Sequence, residues 1–148
     1  MNLSYSGSEA IEAGVDDVYA FITDPNQMGH CLPQVQDVVV HDATTFDAVV
    51  KVAVGLVRGK FKYKVTLVPD AAAKSVVVKT SGGGMGSAVD MTATATLTGE
   101  GGSTTLAWSA NAVARGPVAA VGGRVIDAQA HKLIAQTFTN IRDRINAG

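Results

Sequence analysis

Apolar and polar residues alternate with a period of two through most of this chain. In residues 60–67, one side of the pattern carries Phe, Tyr, Val and Leu, and the other carries Lys and Thr. Such alternation is typical of antiparallel strands with one buried face, and the short turns between the stretches favour a meander. The pattern predicts seven strands, at residues 2–13, 35–41, 46–54, 60–67, 75–80, 89–97 and 104–114.

Helical spacing replaces this alternation in three places. Residues 15–22 place apolar side chains three and four apart, with Asp16 and Asp17 in the first turn, where the helix dipole favours carboxylates. Asp24 followed by Pro25 is a helix-starting pair and predicts a second short helix as far as Cys31. An apolar stripe within residues 117–147 predicts one long C-terminal helix.

The order of these elements predicts an α+β fold of the helix-grip type. In this arrangement two short helices follow the first strand, and a long C-terminal helix lies across the concave face of a curved, seven-stranded antiparallel sheet. We expect residues 1–148 to form a single domain, because the length suits one and no linker interrupts the pattern.

Small side chains dominate the inward positions of the predicted sheet. Aromatic residues make up 5% of the chain although hydrophobic residues make up 47%, so we expect a hollow between the sheet and the long helix. Trp108 and Tyr63 are the inward residues that combine a large ring with a hydrogen-bonding group. The residues expected to contact a ligand in this hollow are Met28, Leu32, Val54, Leu56, Phe61, Tyr63, Met85, Met91, Trp108, Val118, Val121, Gly122 and Val125.

Composition excludes several classes of function. The net charge of −1 argues against a nucleic-acid partner, which requires a strongly basic face. The single cysteine rules out an internal disulfide and, with three isolated histidines, predicts no metal site. No signal peptide and no membrane-spanning stretch is recognisable, so we expect a cytoplasmic protein.

Three local features allow competing interpretations. The glycine-rich stretch at residues 81–87 lacks the lysine and following helix of a phosphate-binding loop, so a flexible turn at the rim of the hollow is favoured. His30 and Cys31 are sequence neighbours, which do not face each other on a helix. The row Arg58, Lys60, Lys62 and Lys64, with Lys51 beside it, is either a docking patch for an acidic partner or lipid head groups, or a solvated outer face, which we favour.

The stretch GPVAAVGGRVIDA at residues 116–128, with Phe138 downstream, resembles the C-terminal signature of the CoxG family of carbon monoxide dehydrogenase subunits. Val18-Tyr19, Cys31-Leu32-Pro33 and the glycine-bounded residues 54–61 are similar to further elements of that family. The resemblance implies a START/Bet v1-like fold that binds hydrophobic ligands between sheet and helix. It also implies an accessory or membrane-recruitment role for a molybdenum-containing CO dehydrogenase or a related hydroxylase. We expect no membrane tail anchor within residues 1–148.

These observations favour a non-catalytic binder of a lipid-like molecule. An oxidoreductase at a membrane passes electrons to a lipid-soluble acceptor, so we expect a menaquinone-like quinone, held without a covalent bond, with its ring near Trp108 or Tyr63. We expect no catalytic residue, and peripheral contact with the inner face of the cell membrane. The alternative is a small cyclase or hydratase, which requires Asp90, Glu12 or His30 inside the hollow. A third hypothesis is an interaction module with a filled core.

Overall fold

The structure is a computed structural model that describes residues 1–147. Its elements in chain order are β1 (Asn2–Ile11), α1 (Val15–Ile22), α2 (Pro25–Cys31), β2 (Val35–Val40), β3 (Thr45–Val54), β4 (Val57–Asp70), β5 (Ser75–Gly84), β6 (Ser87–Glu100), β7 (Ser103–Arg115), α3 (Pro117–Ala120) and α4 (Gly123–Ala147).

The seven strands form one antiparallel sheet in the order β1-β7-β6-β5-β4-β3-β2. Strands β2 to β7 form the predicted meander, and β1 pairs with β7 over its whole length, from Asn2 opposite Val113 to Ile11 opposite Thr104. The sheet is curved, and the long helix lies on its concave side. The predicted helix-grip architecture is therefore confirmed.

The sheet has two ends that differ in what covers them. At one end, the turns after β4 and β6 lie near α1, because Lys74 pairs with Asp16 and Gly101 lies beside Gly14. Thr104 there donates a hydrogen bond from its hydroxyl to the carbonyl of Ala13, at 2.7 Å. At the other end, the β3–β4 and β5–β6 turns meet α3 and the start of α4. We call this second end the tip and define it as residues 54–60, 84–87 and 116–125.

Most of the apolar core lies toward the end that α1 covers. There the inner sheet face packs against α1, α2 and the C-terminal half of α4. Asp24 starts α2 as predicted, because its carboxylate accepts hydrogen bonds from the backbone N–H groups of Asn26 and Gln27. The buried residues of this main core are Ile11, Val18, Phe21, Ile22, Cys31, Phe46, Ala48, Val65, Leu67, Val76, Leu97, Leu106, Phe138 and Ile141.

A smaller apolar cluster lies nearer the tip. Val50, Val57 and Phe61 are its buried members, and half-buried side chains from β3, β4, β6 and the residues around α2 and α3 surround them. Between the two clusters, the inward residues of β6 and β7 are half-buried, and several of them are small: Ala93, Ala110 and Ala112 lie near the larger Met91 and Trp108. We call this half-buried part of the concave face, beside Trp108, the groove.

The glycine-rich stretch is mostly strand, which corrects the prediction of a flexible rim turn. Strand β5 continues to Gly84, and Gly82 and Gly83 pair with both β4 and β6. A Cβ atom on Gly82 would clash with the carbonyl oxygen of Lys62. The glycines are needed because neighbouring backbones approach too closely for a side chain. Only the turn between Gly84 and Ser87 interrupts the pairing.

The C-terminal helix is broken near its start, where a single helix was predicted. The short α3 ends at Ala120, and α4 begins at Gly123. Gly122 lies between them with φ of +95°, in the left-handed region that favours glycine. The Gly122-Gly123 pair therefore marks a change of direction and not an internal part of one helix.

Exchanging each of these two glycines for alanine should separate their roles. We expect Gly122→Ala to lower the free energy of unfolding by about 1–2 kcal/mol, because alanine is strained at positive φ. Gly123→Ala should be neutral or stabilising by up to about 1 kcal/mol, since a helical alanine is preferred to glycine. Urea unfolding of both variants measures the difference. Equal changes in the free energy of unfolding for the two variants would contradict a helix break at Gly122.

Candidate functional site

A cavity of about 360 Å³ lies between β1, β7 and α4. It opens on the side of the sheet where β1 forms the edge. Its lining is mixed, with an indole and an isoleucine beside hydroxyl, carboxylate and imidazole groups. The lining residues are Ser4, Tyr5, Ser6, Trp108, Asp127, His131 and Ile134.

Trp108 is the largest side chain of this cavity. It projects from the inner face of β7 and lies over Gly7 of β1, where an added Cβ atom would be 3.0 Å from the indole nitrogen. Its ring centroid is 6.1 Å from that of Phe138 on α4. The indole Nε1 is buried and has no hydrogen-bond partner among the described residues. An unpaired buried donor costs about 1–3 kcal/mol, so the indole would gain from a movement that brought Nε1 within reach of an acceptor.

Tyr5 connects β1 to the first turns of α4. Its hydroxyl donates a hydrogen bond to Asp127 Oδ1 at 2.7 Å, and its ring meets His131 edge-on at 5.8 Å between centroids. Burial, with the hydrogen bond to the Asp127 carboxylate, raises the pKa of Tyr5 to about 12. The phenol therefore stays protonated at neutral pH and does not act as a base.

A second polar contact holds the C-terminal half of α4 against β1. The Arg142 guanidinium donates to Glu9 Oε1 at 2.8 Å and to the carbonyl of Ala10 at 3.0 Å. Tyr5 and Glu9 are both inward positions of β1, so the edge strand and the helix are joined on either side of Trp108. These contacts fix the width of the cavity.

Sequence reasoning placed Trp108 correctly on the inner face but missed Tyr5, Asp127 and His131 as its neighbours. Extending the period-two pattern through β1 would have identified Tyr5 as inward, between Leu3 and Gly7. No local signal relates Asp127 to Tyr5, because the two residues are 122 positions apart.

The other residues predicted to contact ligand fall into three groups. Phe61, Tyr63, Leu32 and Val121 meet in the smaller cluster near the tip, with Val54 and Val118 also buried at that end. Met28 packs on the main core, and Met91 is half-buried on the groove face. Leu56, Met85 and Val125 are exposed at the tip, and Gly122 has open space around it. The structure does not bring these thirteen positions to one place, and contact of each with a ligand stays a prediction.

The residues named for the enzymatic alternative lie away from the cavity. Asp90 accepts hydrogen bonds from Ser81 and Arg115, and these contacts hold the pKa of its carboxyl below the ordinary value. The Nδ1 atom of His30 lies 2.7 Å from the carbonyl oxygen of Asn26 on its own helix, and Glu12 is exposed. Among residues 1–147, no group of three His, Cys, Asp or Glu side chains is placed to hold a metal ion.

Cys31 is fully buried in the main core, and burial raises the pKa of its thiol to about 11. The folded state thus holds this proton more tightly than the unfolded chain. Its contribution to stability is complete below the unfolded pKa near 9 and is lost as the pH rises through 11. We expect Cys31→Ala to remove part of the alkaline destabilisation. Urea unfolding midpoints of the unaltered chain and of Cys31→Ala, at neutral and alkaline pH, test this. If the midpoint falls by the same amount in both proteins as the pH rises, the expectation is contradicted.

Comparison with known families shows which family the chain belongs to. The model of the family described as CoxG, a subunit family of carbon monoxide dehydrogenase, matches residues 7–146. The chain belongs to the CoxG family. The match includes the groove, the tip and the cavity residues on β7 and α4, whereas Ser4, Tyr5 and Ser6 of the cavity precede it. The resemblance seen at residues 116–128 therefore extends over most of the chain. The comparison with curated proteins finds no match.

Solved structures share this fold. A conserved protein from Geobacillus kaustophilus is 22% identical, with a TM-score of 0.88 over 98% of this chain and 96% of its own. A START superfamily protein from Mycobacterium smegmatis is 10% identical, with a TM-score of 0.75 over 97% of each chain. The Zhui aromatase/cyclase from Streptomyces sp. R1128 is 10% identical, with a TM-score of 0.70 over 99% of this chain and 94% of its own. At these identities the likeness establishes a START/Bet v1-like fold.

No helix within residues 1–147 combines the length and the apolar character that crossing a bilayer requires.

Proposed function

We propose that this CoxG-family chain binds a lipid-like quinone of the menaquinone type, without a covalent bond and without catalysing a reaction on it. The observation that supports this most is the buried, unpartnered Nε1 of Trp108 beside a cavity of about 360 Å³. That volume lies within the range of about 300–1,000 Å³ that small-molecule sites occupy. A carbonyl oxygen on the ligand would accept the hydrogen bond that the indole cannot donate to the protein, once the ligand displaces the contacts that now cover Nε1.

The surroundings of Trp108 favour a neutral ligand over a charged one. The indole N–H is a donor only, so it selects an acceptor. The Asp127 carboxylate lines the same cavity and would repel the head group of a fatty acid. A quinone carbonyl oxygen is a hydrogen-bond acceptor that carries no net charge. The small residues Ala93, Ala110 and Ala112 leave room under α4 for an isoprenoid tail.

We include in the proposal the partner that the family description names and, as a further part of the proposal, a location at the membrane. The chain would serve as an accessory or membrane-recruitment factor for a CO dehydrogenase or a related molybdenum hydroxylase, whose electrons a quinone would accept. Exchange of such a ligand requires peripheral contact with the inner face of the cell membrane.

Native mass spectrometry and organic extraction of freshly purified protein test the proposal. We expect one quinone per chain in both measurements. The matched variant Trp108→Phe keeps an aromatic ring but removes the donor, so it should retain about 3–10-fold less quinone at equal protein concentration. If neither method detects a lipid in the unaltered protein, and added menaquinone does not bind, the proposal fails.

The enzymatic alternative has less support. A cyclase or hydratase needs an acid or base that changes its protonation near neutral pH. The residues first named for this role, Asp90, Glu12 and His30, lie outside the cavity. Inside it, Asp127 accepts the hydrogen bond of Tyr5, and the ring of His131 packs edge-on against the ring of Tyr5, so both groups already have a structural contact. The interaction module with a filled core is disfavoured by the cavity itself.

A further inference from the structure

The tip is a tightly joined surface built from three separate parts of the chain. An added Cβ atom on Gly55 in the β3–β4 turn would lie 3.1 Å from Val121, at the end of α3. One on Gly86 in the β5–β6 turn would lie 3.7 Å from Pro117. The hydroxyl of Ser87 accepts a hydrogen bond from the backbone N–H of Val118 at 2.9 Å. The two turns and the start of the helical segment therefore form one fixed surface.

Large apolar side chains are exposed on this surface, although the side chain of Met85 lies over Gly59. Leu56 is 98% exposed, Met85 is 61% exposed, and Val125 is 44% exposed. Leu56 follows Gly55, and Met85 precedes Gly86. Both glycines have positive φ, which makes these tight turns feasible. Water is an unfavourable environment for such side chains, and their grouping at one end of the molecule marks an interaction surface.

Basic side chains surround these apolar residues. Lys51, Arg58, Lys60 and Arg124 are exposed, and none of them forms an ion pair with a described residue. Lys51 and Lys60 are directly paired across β3 and β4, so two like charges are held side by side on the outer face. The two positive charges repel each other in the free protein. A negatively charged surface that covered them would offset this repulsion.

The opposite end of the sheet carries the opposite charge. The turns and helix there bear the exposed carboxylates of Asp16, Asp17, Asp42, Asp70 and Glu100, together with Lys74, which forms an ion pair with Asp16. Although the net charge is −1, positive side chains are concentrated around the tip and negative side chains at the far end. Such a charge distribution would orient the molecule with its tip toward an anionic surface.

We propose that the tip docks on an anionic lipid bilayer, with Leu56 and Met85 inserted at the level of the head groups and the basic residues on the phosphates. The proposal rests on the proposed function only for the membrane as the source of ligand, and it assigns the surface that makes contact. A few projecting apolar side chains suit insertion between lipids. A stable protein interface needs about 800 Å² on each partner, far more than these side chains offer.

Sedimentation of the full chain with quinone-free vesicles tests the docking. We expect binding to phosphatidylglycerol-rich vesicles, little binding to phosphatidylcholine vesicles, and weaker binding as salt is added. Each Lys or Arg near an anionic surface contributes roughly fivefold, so Arg58→Gln with Lys60→Gln should weaken binding about 25-fold. Leu56→Ser with Met85→Ser should weaken it at least tenfold through lost insertion.

Matched controls lie outside the tip, on β4 and β5. Val68 is 46% exposed at the far end of β4, and Lys79 is exposed on β5. Val68→Ser and Lys79→Gln should leave vesicle binding unchanged. Circular dichroism and thermal melts confirm that each variant is folded.

Two results would overturn this proposal. One is the absence of vesicle association at low salt. The other is association that the tip substitutions do not weaken more than the control substitutions do. If the purified oxidoreductase binds through Leu56 and Met85 while vesicles do not bind, the tip is a protein-docking surface instead. Because the vesicles contain no quinone, failure here is distinguishable from failure of quinone binding.

Discussion

Ala110→Phe is expected to weaken quinone binding at least 100-fold, equivalent to about 2.8 kcal/mol of binding free energy. Ala110 lies on the inner face of β7, two residues beyond Trp108, with Tyr5 of β1 on one side and Ala93 of β6 on the other. It is half-buried, so a phenyl ring there would occupy the groove beside the indole. Equilibrium binding of menaquinone to purified protein measures the loss.

The same substitution should change stability much less than binding. The free energy of unfolding should shift by less than about 1.5 kcal/mol, because Ala110 is half-buried and lies outside the two close-packed clusters. Ala107→Phe is the matched control, since Ala107 is exposed on the outer face of the same strand. Retained quinone affinity in Ala110→Phe would show that the ligand does not occupy the groove.

Phe61→Ala is expected to lower the free energy of unfolding by about 3–5 kcal/mol. Phe61 is 1% exposed and forms the centre of the smaller cluster, between Val50 and Val57. Its removal would leave a cavity between β3, β4 and the residues around α2. The phenyl group therefore has a packing role that sequence reasoning did not distinguish from ligand contact. Urea or thermal unfolding measures the effect.

Phe61→Leu provides the comparison, because it keeps most of the buried volume and should cost less than about 1.5 kcal/mol. If Phe61→Ala were nearly as stable as the unaltered chain but bound quinone poorly, Phe61 would be a ligand contact as first predicted. A large loss of stability in Phe61→Ala and a small one in Phe61→Leu would assign it to the core.

Local patterns predicted the sheet because each strand carries its own evidence. Strands β3 and β4 alternate buried and exposed residues along nearly their whole length, and the register pairs Val50 with Phe61 and Ala48 with Tyr63 on the inner face. A strand with one buried face needs an apolar residue at every second position, so this period is visible in the sequence of each strand. The Asp24 cap of α2 was predictable for the same reason.

Features that depend on distant parts of the chain were not predictable in this way. The contact of Tyr5 with Asp127 and that of Glu9 with Arg142 join residues 122 and 133 positions apart. The break at Gly122 depends on how α3 docks against Ser87, which helical spacing does not reveal. The strand character of Gly82 depends on the approach of Lys62 from β4. In each case tertiary contacts override the local preference.

A fluorescence titration tests most directly whether a quinone binds beside Trp108. The chain contains one tryptophan, so its emission reports on this site alone. We predict saturable quenching of Trp108 by a water-soluble menaquinone analogue, at one equivalent per chain, with Ala110→Phe showing no saturation. Quenching that rises linearly without saturation, to the same extent in both proteins, would contradict quinone binding at this site.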